Sequence, residues 1–356
     1  MQTVSGVIVT HNGGDKVLRC IAALKAQTVP FHEILVIDNA SSDGSPTRIR
    51  AAHPDVRLIE LPQNRGPSVS RNAALGEATG DLVFWIDNDI YADPTCLERL
   101  LAAKADEPAE LVVPRIVLYP EQDVVQCDGG EPHFLGTLVL RHGFTPLRDL
   151  PAGADRRAQI GAAPSGCLLV ERTIAQAVGG FDESYFFYFE DYEFSLRWRI
   201  LGHRILAEPA AVVRHDRGAG TMDLSFRGQG SYPRQRARLL MRNRLRTLLT
   251  HYSRRTLLVL APALLVYELV TLGFALVRGW GGPWLEAWGW VLAHRRELQE
   301  RRRWIQARRR TADFELLQAG ALPLAPGLLR SGLLRALADV LSSGFDGYWQ
   351  LARRLV

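Results

Sequence analysis

The chain has 356 residues, of which 47% are hydrophobic, so it is long enough for one large or two ordinary domains and too apolar for a disordered chain. Its formal net charge of +5 is unevenly distributed: the residues from Arg234 onward include 21 arginines but only 8 acidic residues, so the part before them is net acidic. The basic, leucine-rich tail indicates an anionic partner, such as a membrane surface or a nucleic acid.

The first part of the chain alternates strand-like and helix-like segments. Apolar runs predict strands over 4–9, 33–37, 57–61, 82–86 and 110–113, and helical spacing predicts helices over 15–27, 68–78 and 93–103. This alternation predicts an α/β fold with a mostly parallel sheet and helices on both faces. Ligands of such sheets bind at the carboxyl ends of the strands, so Thr10–Asn12, Asp38–Ser41 and Asp87–Asp89 should meet along one edge.

Beyond residue 115 the pattern weakens. Up to about residue 160, glycine, proline and charged residues are mixed, which predicts irregular structure that could cover an acceptor, with a short β-like piece at Thr137–Leu140. A strand over 165–170 and a helix over 172–178 follow. A second helix, over 190–201, begins with Glu190 and Asp191, and the segment 203–211 leads to His215.

The Asp87-Asn88-Asp89 segment directly follows a predicted buried strand. Two carboxylates on a tight turn can hold a divalent cation and neighbouring ribose hydroxyls, and hard oxygen ligands suit Mg²⁺ or Mn²⁺. Such a cation would neutralise charge on a departing diphosphate. An Asp-x-Asp segment also arises by chance, so its position after the strand carries the interpretation.

Two other acidic or basic groups fit the same chemistry. Glu190 and Asp191, at a helix start behind the aromatic run 185–189, suit a general base acting on a sugar hydroxyl, although acids at that place also serve as ordinary caps. His215 could complete a metal shell or be a structural histidine.

A third set of residues fits the rest of a nucleotide. Asp38 and Thr10 could bond to a nucleobase edge or simply form turns, and both roles are compatible. Arg65 and Arg71 could contact phosphate or be solvated.

These segments together resemble the family-2 glycosyltransferases, which are inverting enzymes of the GT-A fold, and most of all their bacterial rhamnosyltransferase-like branch. The resemblance spans roughly residues 4–220 and is carried by Val7–Asn12, Val36–Gly44, Asn64–Gly66, Arg71-Asn72, Ala78–Asp81, Phe84–Asp89, Gly179–Glu183 and Phe187–Glu193. Many relatives have Asp-Asp-Asp where this chain has Asp87-Asn88-Asp89, and a central asparagine is tolerable because the outer residues bind.

The resemblance implies roles for individual residues. Asp191 would be the catalytic base, with Glu190 assisting; Asp89 and His215, with Asp87, would hold the divalent cation. Asp38 would read the base and Asp87 would contact the ribose. The remaining nucleotide-sugar-binding residues would be Thr10, Asn12, Asn39, Asn64, Arg71 and Asn88. The reaction implied is a single displacement from a nucleoside-diphosphate sugar, with dTDP-rhamnose or a UDP-sugar favoured, to a glycan hydroxyl, in cell-surface polysaccharide synthesis.

The tail is predicted to form a second region, residues 231–356, after a catalytic domain of residues 1–230. Residues 256–277 are apolar and long enough to cross a bilayer, but Glu268 near their centre argues against a simple span. We expect a re-entrant hairpin bent at Pro262 or a helix in the interface, with Trp280, Trp284, Trp288 and Trp290 as an aromatic belt and an amphipathic segment over 316–341. A true span and a soluble or dimerising helical tail are the alternatives.

The sequence also indicates a cellular compartment and allows a rival function. No signal peptide is predicted, and the four widely spaced cysteines are typical of small buried residues in a reducing compartment. We therefore expect the cytoplasmic face of the plasma membrane and a polyprenyl-diphosphate-linked acceptor, with homo-oligomerisation left open. The rival is a non-catalytic nucleotide-sugar, lipid-head-group or RNA-binding protein; the long apolar run and the lack of aromatic RNA-binding motifs argue against RNA.

Overall fold

A computed structural model describes residues 2–120, 123–164, 166–217, 234–320, 322 and 332–356. The chain divides into two compact units. The first, called here the sheet unit, comprises Met1–Gly130, Leu140–Ser195 and His203–Arg217. The second, the helical unit, comprises Glu131–Val139, Leu196–Gly202 and Gly218–Val356. The predicted domain boundary at residue 230 falls outside the described residues and stays a prediction.

The predicted α/β class is confirmed by the secondary structure. In chain order the strands are β1 (Val4–Thr10), β2 (Glu33–Asp38), β3 (Arg57–Glu60), β4 (Leu82–Asp87), β5 (Ile90–Ala92), β6 (Leu111–Tyr119), β7 (Val124–Cys127), β8 (Gly130–His133), β9 (Thr137–Leu140), β10 (Thr145–Pro146), β11 (Ala158–Gln159), β12 (Cys167–Glu171) and β13 (Ile205–Asp216). The helices are α1 (Gly14–Lys25), α2 (Ser45–Ala52), α3 (Pro67–Glu77), α4 (Cys96–Asp106), α5 (Arg172–Ala177), α6 (Glu190–Ile200), α7 (Arg234–His251), α8 (Arg254–Val277), α9 (Gly281–Ala293), α10 (Arg295–Ala307), α11 (Asp313–Leu316) and α12 (Gly332–Ala352).

The main sheet has the order β10-β7-β6-β12-β4-β1-β2-β3. Strands β3, β2, β1 and β4 are parallel, whereas β12 runs antiparallel between β4 and β6. Strand β1 is buried along its whole length, as its near-continuous apolar sequence predicts for a strand covered on both faces. All four cysteines are buried, as predicted, and carry free thiols.

The segment from residue 115 onward is more regular than the sequence indicated. Strand β6 continues to Tyr119 in the middle of the sheet, and it pairs in parallel with β13 along most of its length. Strands β7 and β10 extend the sheet beside it. The prediction of irregular structure was wrong here because proline and arginine interrupt the apolar pattern: Pro114 and Arg115 lie inside β6, where Arg115 is compensated by two bonds of 2.9 Å to Asp128.

The helical unit corrects the prediction for the apolar segment of the tail. Helix α8 runs unbroken from Arg254 to Val277 through Pro262, so the chain does not turn back there as a hairpin. Glu268 lies on a packed side of this helix: Arg244 of α7 donates to Oε2 at 2.9 Å, and the indoles of Trp284 and Trp288 donate to Oε1 at 2.7 and 3.0 Å. These two tryptophans therefore bond to a partly buried acid, a role that the prediction of an aromatic belt did not include.

Some tail arginines have structural partners. Arg302 donates to the carbonyl oxygens of Leu249 and Tyr252, at 2.8 and 2.7 Å, and so caps the end of α7. Arg309 pairs with the buried Asp313 at 2.7 Å. Some arginines of the Arg295–Arg310 cluster therefore connect neighbouring helices. Of the amphipathic segment predicted over 316–341, residues 332–341 form the first part of helix α12, whereas residues 321 and 323–331 lie outside the described residues.

Candidate functional site

Three parallel strands end together at the predicted edge of the sheet unit. Thr10, the last residue of β1, is opposite Asp38, the last residue of β2, and Val9 is opposite Asp87, the last residue of β4. The prediction that these polar termini converge is thus confirmed. The convergence follows from parallel pairing, which aligns the carboxyl ends of adjacent strands.

Two acceptor oxygens at this edge are buried without a partner among the described residues. They are Oγ1 of Thr10 and Oδ1 of Asp38. The other Asp38 oxygen, Oδ2, accepts the Ser41 amide at 2.9 Å, so the turn that the sequence suggested does form. A buried acceptor left without a donor is costly. The edge is therefore prepared for a ligand that donates a hydrogen bond.

Gly13 keeps this corner open. A Cβ on Gly13 would lie 2.4 Å from Thr10 Oγ1 and 2.6 Å from Asn88 Nδ2, both closer than real contacts allow. These two distances also place the predicted binding residues Thr10 and Asn88 on either side of the same glycine. Any side chain at position 13 would displace them.

The predicted binding asparagines are tied to the surrounding loops. Asn12 accepts the Ser42 amide at 2.8 Å through Oδ1. Asn39 is buried and donates to Asn64 Oδ1 at 2.9 Å. These bonds join the ends of β1, β2 and β3 into one rim. A direct role in nucleotide binding stays a prediction for all three asparagines.

Asp89 and His215 lie side by side although they are distant in sequence. Strand β5 pairs antiparallel with the end of β13, and this pairing brings His215 Nε2 to 3.5 Å from Asp89 Oδ1. On its other side, His215 Nδ1–H donates to Gln126 Oε1 at 2.7 Å. With Nδ1 bonded to Gln126, Nε2 is the ring nitrogen that lies nearest Asp89 and is placed to bind a metal.

An ion cluster around the buried Asp216 anchors the next residue of the strand. Asp216 bonds to Lys16 at 2.9 Å, to Arg19 at 3.0 Å and to the Tyr91 hydroxyl at 3.0 Å. Its amide also donates to the Asp89 carbonyl at 2.7 Å. Helix α1 therefore holds the end of β13 in place, and with it the Asp89–His215 pair.

Arg71 links the strand-end carboxylates to the start of α6. Its buried guanidinium lies 2.8 Å from Asp87 Oδ1 and 3.6 Å from Glu190 Oε1. The sequence offered only phosphate contact or solvation for Arg71, and the carboxylate bridge was missed. Its role in phosphate binding stays a prediction, and Arg65, which is exposed, lies 3.6 Å from Glu183.

Burial and neighbouring charges shift the pKa values of two acids in the site, Glu190 and Asp87. Burial and the neighbouring charge of Asp191 together raise the pKa of Glu190 to about 8, against the attraction of Arg71. Burial also raises the pKa of Asp87, against the attraction of Arg71 and with the repulsion of Asp89. Of the two adjacent acids, the neutral Glu190 can donate a hydrogen bond, whereas an ionised Asp191 can accept a proton.

A strained loop leads into α6. Phe186 has φ +62° and ψ −64° and Phe187 N donates to Tyr185 O at 2.8 Å, which makes a γ-turn of the rare left-handed kind; Tyr188 and Phe189 also have positive φ. Gly66, with φ +88°, lies against this turn, since a Cβ there would meet the Phe186 carbonyl oxygen at 2.2 Å. The loop delivers Glu190 and Asp191 to the site.

The residues present suit a divalent cation only as part of a shell. In the part of the chain that the structure describes, no group of three or more His, Cys, Asp or Glu side chains is arranged to hold a metal ion. Asp89 and His215 supply one carboxylate and one imidazole, and a diphosphate and water would have to complete the shell. The donor set fits a cation that arrives with a phosphorylated ligand.

Comparisons with known proteins find similar glycosyltransferases. Residues 5–127 match the family model described as glycosyl transferase family 2. The chain is 29% identical over 234 residues to the N-acetylglucosaminyl-diphospho-decaprenol L-rhamnosyltransferase of Mycobacterium tuberculosis, a match that covers 60% of this chain and 76% of the relative. It is 28% identical over 215 residues to the pre-mycofactocin glycosyltransferase of the same species, covering 60% of this chain and 42% of that one.

Solved structures share the fold. GalNAc-T7 with UDP, GalNAc and Mn²⁺ superposes with a TM-score of 0.55 at 18% identity, over 72% of this chain and 49% of that structure. The mannosyltransferase PcManGT from Pyrobaculum calidifontis, in complex with GDP-Man and Mn²⁺, superposes with a TM-score of 0.53 at 18% identity, over 99% of this chain and 86% of that structure.

Proposed function

The chain belongs to the family-2 glycosyltransferases of the GT-A type, and on that premise we propose that it moves a sugar from a nucleoside-diphosphate sugar to a hydroxyl of a lipid-linked glycan, with inversion. The single observation that carries the proposal is the approach of Asp89 to His215, at 3.5 Å, beside the edge where Thr10, Asp38 and Asp87 end their strands. Asp89 and His215 would face the diphosphate through a cation, and the strand ends would face the ribose and the base.

The donor would lie along the strand ends. The unpartnered oxygens of Thr10 and Asp38 would accept hydrogen bonds from the base, whose ring N–H is a donor in uracil, thymine and guanine alike. Asp87, held by Arg71, would receive the ribose hydroxyls. Among the sugar donors, dTDP-rhamnose or a UDP-sugar is favoured, because a rhamnosyltransferase matches 60% of this chain.

Asp89 and His215 would hold a divalent cation, Mg²⁺ or Mn²⁺, which supplies positive charge to the departing diphosphate. Gln126 orients His215 for that role through the Nδ1 bond. The Asp216 cluster keeps both residues in register. The Mn²⁺ in the two structural neighbours is in keeping with this assignment.

Asp191 would remove the proton from the acceptor hydroxyl, and the resulting oxygen would attack the anomeric carbon. The carbon–oxygen bond to the diphosphate breaks as the new glycosidic bond forms, so the nucleoside diphosphate leaves from the opposite face and the configuration inverts. Glu190 keeps its own proton near neutral pH, because burial and the charge of Asp191 raise its pKa to about 8. It can therefore donate a hydrogen bond beside the base.

The acceptor would be a sugar on a polyprenyl diphosphate, at the cytoplasmic face of the plasma membrane. The Mycobacterium tuberculosis relative is named as a rhamnosyltransferase of N-acetylglucosaminyl-diphospho-decaprenol, which is such an acceptor. The apolar helix α8 is long enough to cross a bilayer.

A thermal-shift panel tests the proposal. UDP, dTDP, GDP and their sugars would each be added with Mn²⁺ or with EDTA. We expect at least one nucleotide to raise the unfolding temperature, more with the cation than without it. An Asp89→Ala variant should lose the cation-dependent part. No stabilisation by any nucleotide in either condition would contradict the function.

A further inference from the structure

Helix α8 presents a continuous apolar stripe to solvent. Between Thr256 and Val277 every exposed residue of the helix is apolar. The stripe consists of Leu258, Ala261, Pro262, Leu265, Val266, Leu269, Val270, Gly273, Leu276 and Val277. Leu258 is 77% exposed and Val277 is 86% exposed, so the stripe extends over about 28 Å of helix. Isolated surface leucines are ordinary, but a contiguous patch of this length marks a contact surface.

The opposite side of α8 is committed to the helical unit. Thr256, Leu260 and Ala263 are buried there, and Glu268 bonds to Arg244 of α7 and to two indoles of α9. Only 11% of the most apolar stretch of α8 is buried, far less than in the core helix of a soluble protein. The polar side chains Thr256 and Glu268 therefore lie on the packed side of the helix, and the exposed residues between Thr256 and Val277 are apolar.

Charge surrounds the stripe at both ends. Arg254 and Arg255 precede it and Arg278 follows it, and all three are exposed. Arginines at the rim of an apolar patch match a surface that is apolar at depth and anionic at its boundary. A lipid bilayer that contains anionic head groups has this arrangement, whereas a protein surface would need acidic groups placed opposite each arginine.

We propose that the helical unit docks onto an anionic bilayer through this stripe, with α8 lying flat in the interface and not crossing the membrane. The proposal is independent of the transfer reaction. The partner of the stripe is the lipid surface, and α8 alone provides the contact.

The packing of α9 on α8 argues for the flat orientation. Glu286, in the middle of α9, is half exposed and lies 3.6 Å from Arg234 and 3.8 Å from Arg238. If α8 crossed the bilayer along its axis, α9 would enter the hydrocarbon beside it and carry these charges inside. With α8 flat, the stripe faces the acyl chains and the charged groups stay in water.

Vesicle co-sedimentation with the full chain tests the docking. The probes are phosphatidylcholine vesicles with and without phosphatidylglycerol. We expect binding to the anionic vesicles that weakens at high salt. A Leu265→Glu/Leu269→Glu variant should lose roughly tenfold or more of that binding, because each leucine would have been buried in lipid.

A matched control is the same change on the sheet unit. Leu147 is 41% exposed there, so Leu147→Glu tests the added charge and the lost apolar side chain without touching α8. We expect it to bind vesicles like the unchanged protein. Unchanged unfolding temperatures of all variants would show that only the surface has been altered, since the substituted residues are exposed.

Depth measurements test the orientation. Single cysteines at Leu258, Leu269 and Leu276 would carry a fluorophore, and lipids with quenchers at two depths would locate it; the four native cysteines are buried. Equal depths at the three positions would support the flat helix. A deepest position at Leu269 with shallow ends would mean a span and would overturn it.

Two other outcomes would also overturn the proposal. One is the absence of binding to anionic vesicles. The second is a concentration-dependent dimer in lipid-free solution that Leu265→Glu/Leu269→Glu dissociates, without any vesicle binding, which would assign the stripe to a second copy of the chain.

Discussion

Nε2 of His215 lies 3.5 Å from Oδ1 of Asp89, at the point where the last residues of β13 pair with β5. The pairing of β13 with β5 brings these two residues together, although they are far apart in the sequence. On the far side of the imidazole, Nδ1 bonds to Gln126 Oε1 at 2.7 Å, which holds the orientation of the ring. This arrangement gives the proposed cation one carboxylate and one correctly oriented imidazole.

Gln126→Leu should weaken cation binding without unfolding the protein. The substitution removes the acceptor of the Nδ1 proton and frees the ring to turn, and loss of such an outer partner costs about 10- to 100-fold in metal affinity. Titration of Mn²⁺ in the presence of nucleotide, followed by calorimetry, measures the effect. Unchanged affinity in this variant would mean that His215 does not bind the cation.

Asp191→Asn should abolish most turnover and leave nucleotide binding intact. Removal of a general base lowers the rate by about 10²- to 10⁴-fold. Release of nucleoside diphosphate measures turnover, and calorimetry measures binding. Glu183→Gln, an exposed acid before the same helix, is the matched control and should keep its activity. Near-normal turnover of Asp191→Asn would remove Asp191 from the mechanism.

Arg71→Met should destabilise the fold by about 3 kcal/mol, because it leaves the carboxylate of Asp87 without its cation. Urea unfolding measures the change. Arg65→Met, in which the exposed guanidinium is lost, should change stability by less than about 0.5 kcal/mol. Adding Asp87→Asn to Arg71→Met should restore part of the loss; if it restores nothing, the pair of Arg71 with Asp87 does not stabilise the fold.

Glu190→Gln should change how stability depends on pH. The pKa of Glu190 is raised from 4.5 to about 8, mainly by burial, so the unfolded chain releases its proton at lower pH than the folded protein does. The contribution of Glu190 to stability is therefore present in full below about pH 4.5 and is lost as pH rises through 8.

Because the glutamine variant lacks this titration, its unfolding temperature relative to the unchanged protein should rise between pH 5 and pH 8. Thermal unfolding of both proteins across that range measures the difference. A difference that stays constant with pH would show that Glu190 titrates normally.

Asp38→Asn should weaken nucleotide binding by about 10- to 100-fold and spare pyrophosphate binding. The amide oxygen can still cap the Ser41 amide, but an N–H then faces the base where an acceptor is needed. Calorimetry with a nucleotide and with pyrophosphate separates the two effects. Asp15→Asn, at a highly exposed carboxylate of α1, is the control. Equal losses for both ligands would contradict base recognition by Asp38.

The sequence by itself determined the elements and the chemistry at their ends. Apolar periodicity placed most of the strands and helices of the sheet unit, because side-chain burial repeats with the geometry of each element. The polar groups Thr10, Asp38 and Asp87 were found because parallel strands must end at a common edge, which needs no knowledge of the other contacts.

The tertiary structure decided the partners. That Gln126 orients His215, that Arg71 joins Asp87 to Glu190, and that Glu268 is neutralised from α7 and α9 all depend on contacts between residues far apart in the chain. Local propensity does not predict such contacts, because the sequence around a charged residue is the same whether its side chain is solvated or paired with a buried group. Its burial, and hence its free energy, is set only when distant elements pack together.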